Sequence, residues 1–577
     1  MNAQRLLDVY EQISEAPDAI ARLRRFVLDL AVRGKLVKQE LSDEPASDLL
    51  KRIAEHKERL TNAGEIRKSK KPRPLSDDDR CISIPFSWDW AQLGQLVTKL
   101  TDGSHNPPQN AGEGFPMLSS KNVSDGRIDF DNPTRFVSSD QFDEEDRRTK
   151  ARPGDVLLTI VGTIGRSAVV PAGAPKFALQ RSVAVMAPAI DAGYLAVFLR
   201  SPLAHDYFAE HGKGTAQKGI YLAKLGNLPF PLPPLAEQHR ILAKVDELMA
   251  LCDRLEEARK TREKVRDKLT AASLARLTAP DTTSEDFPTH AAFALEALPA
   301  LTTRPDQIKT LRQTILNLAV RGKLVEQDPA DEPASELLAA IAVEQKELAK
   351  AGKIKRPKPL PAVDTTLAPF DLPLGWSWAR FPELGTFGRG KSKHRPRNDP
   401  ALYRDGKVPF IQTGDVARSG GRITSNTGFY NEVGLAQSML WPRGTMCITI
   451  AANIADSGIL DFDACFPDSV VGLVPASMFD SARYFEYFIR TAKANLLEFA
   501  PATAQKNINL GILETVLIPL PPLTEQHRIV AKVDALMALC DRLETALAEA
   551  DTTRTRLLEA LLHEALEPAT QTLEAAQ

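Results

Sequence analysis

LPPLAEQHRILAKVDELMALCDRLE, Leu232–Glu256, is written a second time as LPPLTEQHRIVAKVDALMALCDRLE at Leu520–Glu544. The copies differ only at Ala236/Thr524, Leu242/Val530 and Glu247/Ala535. Each opens with a proline pair, which stiffens the chain and ends any preceding strand. Each then runs without Pro or Gly through strong helix formers. Apolar residues recur in steps of four and three at Ile241, Val245, Leu248, Cys252 and Leu255, and again at Ile529, Val533, Leu536, Cys540 and Leu543. That spacing is a coiled-coil seam. A single helix with an apolar stripe is not stable alone in water, and two near-identical ones can cover each other.

The repeat is wider than the helices. Glu237 maps onto Glu525, an offset of 288 residues. The same offset carries LAVRGKLV at Leu30–Val37 onto Leu318–Val325, and Pro45–Ser47 onto Pro333–Ser335. It also carries Trp88 and Trp90 onto Trp376 and Trp378, and TAQK at Thr215–Lys218 onto Thr503–Lys506. The chain is a tandem duplication whose unit is too long for a solenoid repeat.

At 577 residues the chain exceeds a single core and divides into domains. Its composition is that of a globular protein. No apolar run is long enough to span a bilayer, and Met1–Glu15 is too polar for a secretory signal, so the expected location is the cytoplasm, with no membrane partner. Five scattered cysteines without CxxC spacing predict neither a disulfide framework nor a metal site. The formal charge of −2 makes any nucleic-acid surface local, or completed by a partner.

In chain order, Pro17–Val37 reads as an amphipathic helix closing near Gly34, and Asp43–Leu60 as a second helix. IRKSKKPRPL at Ile66–Leu75 reads as a solvated basic linker, with phosphate contact the other reading. From Ile82 short β-type runs follow, at Met117–Ser119, Val156–Val161 and Ser182–Met186, before a helix over Tyr194–Phe208. The second copy repeats the plan near Pro409–Gln412, Met446–Ile450 and Val470–Leu473, with a helix over Ala482–Phe499. Thr278–Ala300 reads as a linker. The predicted fold class is α+β: two globular recognition domains with twisted sheets, joined by two long coiled-coil helices. The expected divisions are a helical region 1–80, domain 81–235, long helix 236–277, linker 278–300, helical region 301–368, domain 369–523 and long helix 524–577. Between Gln95 and Ser182 the copies share little sequence. A fixed frame thus presents two different surfaces.

GTFGRGKS at Gly385–Ser392 satisfies the P-loop pattern, yet KHRPRNDP follows it, with two prolines and no apolar helical face. The run is better read as a basic loop, in which Arg389, Lys391, Lys393, His394, Arg395 and Arg397 suit phosphate or guanine contacts. NPPQ at Asn106–Gln109 half-matches an amino-methyltransferase tetrapeptide, but Gln109 lacks the ring that stacks on a flipped base. TAQK places Thr215, Gln217 and Lys218, and Thr503, Gln505 and Lys506, as phosphate anchors, with a structural turn as the rival. SSKN (Ser119, Ser120, Lys121, Asn122) and QTGD (Gln412, Thr413 and onward) occupy matching places and offer donors and acceptors of base-reading type. No catalytic or metal-binding set is found.

LAVRGKLV followed by DEPAS, the W-x-W pair, TAQK and LPPL-x-EQHRI, all twice, resemble the specificity subunit of type I restriction–modification systems. The resemblance covers almost the whole chain. It implies two target-recognition domains, conserved helices packed as an antiparallel pair with a pseudo-two-fold axis, and a non-catalytic role. It also implies partners: double-stranded DNA, two methyltransferase subunits, and restriction endonuclease and translocase subunits. S-adenosylmethionine, ATP and Mg2+ would then sit on the partners and no cofactor on this chain. Different inserts would read different half-sites across a gap set by helix length, since a 40-residue helix spans about 60 Å. A single-chain restriction–modification enzyme or a coiled-coil scaffold without a DNA role are the alternatives. The first lacks recognisable catalytic motifs, and the second leaves two diverged inserts unexplained.

Overall fold

The computed structural model describes residues 15–67, 73–213, 218–279, 285–356, 359–360, 363, 368, 370–452, 454–498 and 508–566. It divides into unit 1, Met1–Arg262 with Asp551–Gln577, and unit 2, Glu263–Ala550. Both boundaries fall inside the long helices, Leu235–Thr278 and Leu523–Leu566.

Unit 1 begins with helices Ala19–Val32 and Ala46–Asn62. The first ends at Val32, next to the expected stop at Gly34, which takes the left-handed φ of +66° and turns the chain away. The strands follow: β1 (Asp89–Gln92), β2 (Val97–Asp102), β3 (Phe115–Leu118), β4 (Val123–Ser124), β5 (Arg127–Ile128), β6 (Arg135–Val137), β7 (Val156–Thr159), β8 (Ser167–Val169), β9 (Ala178–Leu179), β10 (Val183–Pro188) and β11 (Pro229–Leu232). They form an antiparallel sheet β2-β10-β7-β8, a three-stranded sheet β6-β3-β9, and the hairpin β4-β5. The strand period of two puts Val183 and Val185 on one face with Leu157 and Ala168. Ala184 and Met186 face the other core, with Val156, Leu158 and the helices. Burial on both faces is why this strand reads as a continuous apolar run. β1 pairs antiparallel with β11, Asp89 opposite Leu232, so the insert enters and leaves side by side.

The single helix expected over Tyr194–Phe208 is two, Ala192–Leu199 and Pro202–His211. Ser201 accepts from the Ala204 N–H, and Pro202 occupies the first turn, where a missing N–H costs nothing.

Unit 2 repeats the design. Helices Pro305–Val320 and Ala334–Lys350 precede β12 (Ser377–Ala379), β13 (Gly385–Arg389), β14 (Val408–Phe410), β15 (Arg422–Ile423), β16 (Gly428–Tyr430), β17 (Leu440–Trp441), β18 (Met446–Thr449), β19 (Ser457–Leu460), β20 (Ala464–Cys465), β21 (Val470–Pro475) and β22 (Ile518–Leu520), with helix Arg483–Glu498 before the last strand. The sheets are β13-β21-β18-β19-β15, β16-β14-β20-β17 and β12-β22. Part of the expected linker is helical, Phe287–Leu301. Its Pro288 sits in the tolerant first turn, and its Ala294 joins Leu274, Leu277 and Leu318 in a small apolar cluster.

The seam residues are used within each unit. Ile241 and Val245 share a core with Val27, Leu28 and Val32, and Leu248 packs on it. Cys252 is buried and Leu255 half-buried, while Arg24 reaches Asp253 at 2.6 Å and Glu256 at 3.0 Å. Ile529, Val533 and Cys540 lie in unit 2's main core, with Leu536 and Leu543 packed on it. Periodicity shows that a face is apolar, and not what covers it.

Candidate nucleic-acid interface

Several connections leave the same end of unit 1's sheets. β2 ends at Asp102 opposite Ala184, and β7 ends at Thr159 opposite Val183, where β10 begins. β8 starts at Ser167 opposite Leu158, and the parallel strands β3 and β9 finish together at Leu118 and Leu179. Lys213, Lys218 and Gly219 reach the same end, since Gly162 N–H donates to the Lys218 carbonyl at 3.0 Å, Lys213 N–H to that of Gly219 at 2.9 Å and Ile220 N–H to that of Ile160 at 2.9 Å. This rim carries the exposed cations Lys121, Arg166, Arg181, Lys213 and Lys218. Among the described residues, none of their side chains is engaged in an ion pair or hydrogen bond. The rim's carboxylates are engaged: Asp102 holds Arg148 and lies 2.9 Å from His105 Nε2, and Asp125 accepts from the Ser167 N–H at 3.3 Å. A local positive end on a chain of net charge −2 is the electrostatic footprint expected of phosphate binding.

The backbone of this rim is held closely. A Cβ on Gly103 would meet the Leu179 carbonyl oxygen at 2.1 Å, and one on Gly390 that of Phe466 at 2.3 Å. Only glycine fits at these equivalent positions, each bonded to the first residue of the neighbouring strand, Val183 or Val470. Gly390 is the second glycine of the P-loop match, so close strand packing accounts for it. The match itself lies on strand β13, and no helix follows directly.

In unit 2 the same end holds the basic loop. Arg397 pairs with the Asp468 carboxylate at 2.6 Å, and Arg389 Nε donates to the Asp468 carbonyl at 2.8 Å. Arg395 donates to the carbonyls of Ser392 at 2.6 Å and His394 at 2.7 Å. His394 Nε2 lies 2.8 Å from Asp399, whose carboxyl is held below its usual range by the Ala401 N–H and by His394. Lys391 and Lys393 are exposed. The loop is therefore an ordered platform that presents two lysines and braces its arginines.

SSKN and QTGD do occupy matching places, after β3 and β14, each parallel to its neighbour β9 or β20. Their polar groups largely serve the turn. Asn122 Oδ1 accepts from Ser119 N–H and Thr134 Oγ1, both at 3.0 Å, and Asp415 accepts from Gln412 N–H and Thr427 Oγ1, both at 2.9 Å. Ser119 and Asn122 are buried and so are withdrawn from base reading, leaving Lys121 exposed and Ser120 half-exposed. Gln412 is exposed and Thr413 half-exposed. Of TAQK only Lys218 is described; Thr215, Gln217, Thr503, Gln505 and Lys506 lie outside the described residues. Arg166, Arg181 and Lys213 were not singled out from sequence. Laying TIVGTIGRS (Thr159–Ser167) on TIAANIADS (Thr449–Ser457) would have exposed the first.

The EQHRI motif is scaffolding. Glu237 accepts from Trp88 Nε1 at 2.9 Å and Gln39 Nε2 at 2.6 Å, and Arg240 pairs with Asp43 at 2.6 Å. Glu525 repeats this with Trp376 at 2.9 Å and Gln327 at 3.0 Å, and Arg528 with Asp331 at 2.6 Å. Burial raises both glutamates above their ordinary pKa, against the pull of the two donors. These bonds fix where each long helix starts relative to the strand pair feeding it.

The model of the type I restriction modification DNA specificity domain matches residues 88–263 and again 373–550. The chain is similar to the type I restriction enzyme EcoAI specificity subunit of Escherichia coli, at 30% identity over 95% of this chain and 94% of that subunit. The EcoEI specificity subunit of Escherichia coli is 29% identical, with the same two coverages. A solved chain described for complex assembly and conformational transition of the type I R-M system matches at 19% identity, with a TM-score of 0.47, over 86% of this chain and 99% of that one. No helix among the described residues is long and apolar enough to cross a membrane.

Proposed function

Since the chain belongs to the family of type I restriction modification DNA specificity domains and carries that domain twice, we propose that it is the DNA-recognition subunit of such a system, reading an asymmetric bipartite target with one unit per half-site. The observation that carries this reading is the contrast between the repeated frame and the rim each frame holds. Trp88–Glu237 and Trp376–Glu525, β1-β11 and β12-β22 recur, while the rims differ in loop length and in charge. Phosphate contacts position a protein and base contacts specify, so diverged rims on a common frame give two different half-sites. The chain supplies recognition. Methyltransferase and endonuclease subunits supply the chemistry, with S-adenosylmethionine, ATP and Mg2+ bound there.

Recruitment of two copies of one partner is supported by a second repeated feature. Phe86 is 106% exposed and Leu374, its counterpart at the 288-residue offset, is 87% exposed. Large apolar side chains held in water at the same place in both units, beside the bonded frame, suit a partner that docks twice. The test is co-expression with the cognate methyltransferase subunit and mapping of methylated adenines. One asymmetric motif with a non-specified gap is expected; scattered methylation without a motif would overturn the reading.

A further inference from the structure

Two turns of each rim match in their backbone hydrogen bonds and differ in charge at one aligned position apiece. In unit 1 the β7–β8 turn is closed by Thr159 N–H to the Arg166 carbonyl at 2.9 Å and Gly165 N–H to the Thr159 carbonyl at 3.0 Å. In unit 2 the β18–β19 turn is closed by Thr449 N–H to the Asp456 carbonyl at 2.9 Å and Ala455 N–H to the Thr449 carbonyl at 2.8 Å. Arg166 and Asp456 are therefore the same position.

The β9–β10 and β20–β21 turns correspond in the same way. Ile160 N–H donates to Ser182 and Val183 N–H to Gln180 in one, and Ile450 N–H to Ser469 and Val470 N–H to Pro467 in the other. Arg181 and Asp468 are thus equivalent.

The consequences for the side chains are opposite. Arg166 and Arg181 are exposed and, among the described residues, without an ion pair or side-chain hydrogen bond. Asp456 is bonded by Lys493, and Asp468 by Arg397 at 2.6 Å. Where unit 1 offers a free cation, unit 2 has a carboxylate that neutralises one of its own.

We propose that Arg166 and Arg181 are phosphate-contacting residues of unit 1, and that their counterparts Asp456 and Asp468 brace unit 2's rim from within, so that the two units hold DNA by different means. Unit 1 grips the backbone with exposed cations, unpaired among the described residues, and carries the larger share of the salt-dependent affinity. Unit 2 presents a pre-ordered rim in which Arg397, on the basic loop, and Lys493, on the helix Arg483–Glu498, act as positioning residues. This rests on the DNA-recognition reading above.

The test uses the full chain assembled with its methyltransferase partner and a labelled duplex carrying the mapped target. Affinity is measured against salt concentration. For Arg166→Gln with Arg181→Gln, the slope of log K against log salt is expected to fall by about 1.8, at ~0.9 per phosphate contact, with the methylated motif unchanged. For Arg397→Gln with Lys493→Gln the slope is expected to stay at the parent value. An unchanged slope in the first variant, or a changed base preference without a slope change, overturns the phosphate assignment. A fall in the second variant matching the first overturns the asymmetry. Absence of salt-dependent binding by the parent complex would instead refute the DNA-recognition reading itself.

Discussion

Trp88 donates its indole N–H to Glu237 at 2.9 Å, and 288 residues later Trp376 donates to Glu525 at the same distance. The bond joins the start of each insert to the start of each long helix, with both partners buried. Trp376→Phe keeps an aromatic ring in the core but removes the pyrrole part of the indole with its donor, leaving one oxygen of a buried carboxylate with an unmet demand. An unmet buried acceptor costs about 1–3 kcal/mol. Denaturant unfolding of Trp376→Phe is expected to show a loss in that range, and a loss near zero would mean that water replaces the indole.

The same glutamates set a pH dependence. Burial raises their folded-state pKa above the unfolded value, so the folded chain binds more protons in the window just above the ordinary glutamate pKa. Their contribution to stability therefore grows as pH falls from neutral towards that ordinary value, and is lost as pH rises through the folded pKa. Asp331 and Asp399 are shifted downward and act oppositely, only in more acid solution. In Glu237→Gln with Glu525→Gln, the curve of stability against pH is expected to flatten in the mildly acid range. Parallel curves for variant and parent would contradict the assignment.

The turn after β7 and its counterpart after β18 make a backbone prediction. Gly162 has φ +80°, with open space where a Cβ would stand, and its counterpart Ala452 has φ +65°. A left-handed conformation costs an L-residue about 1–2 kcal/mol. Gly162→Ala is expected to lower unit 1's stability by about 1 kcal/mol and Ala452→Gly to raise unit 2's by about as much. Hydrogen exchange resolved by unit checks both signs.

Phe86→Ser and Leu374→Ser test docking. Each removes an apolar side chain from water and leaves the fold's own contacts in place. Either variant is expected to shift the complex mass, at limiting partner concentration, towards one bound methyltransferase copy, and the double variant towards none. Full occupancy in the double variant would place the docking surface elsewhere.

Much of the frame was legible because it is written twice. The 288-residue offset, the Pro pair, the apolar strands and the long helices all follow from pattern. The rim was harder to read for a physical reason. Arg166, Arg181 and Lys213 come from three loops far apart in sequence, brought together only by strand register. Asn122 shows the converse error: an amide with donors and acceptors looks like a base reader until its oxygen is found closing its own turn on Ser119. Phe287–Leu301 reads as a linker because of its prolines and alanines, yet Pro288 lies in the first turn and Ala294 packs with Leu274 and Leu277.

The central claim is that each unit reads its own half-site, and exchange of one insert tests it most directly. Because β1 and β11 run side by side, Ile82–Phe230, with Trp88 and β1 included, can be replaced by the corresponding segment of another family member while both long helices and the second insert stay unchanged. Methylated adenines are then mapped in cells that also make the methyltransferase partner. The account predicts a motif in which one half-site is new and the other, with its adenine, is retained. A motif changed in both halves, or in neither, would contradict it.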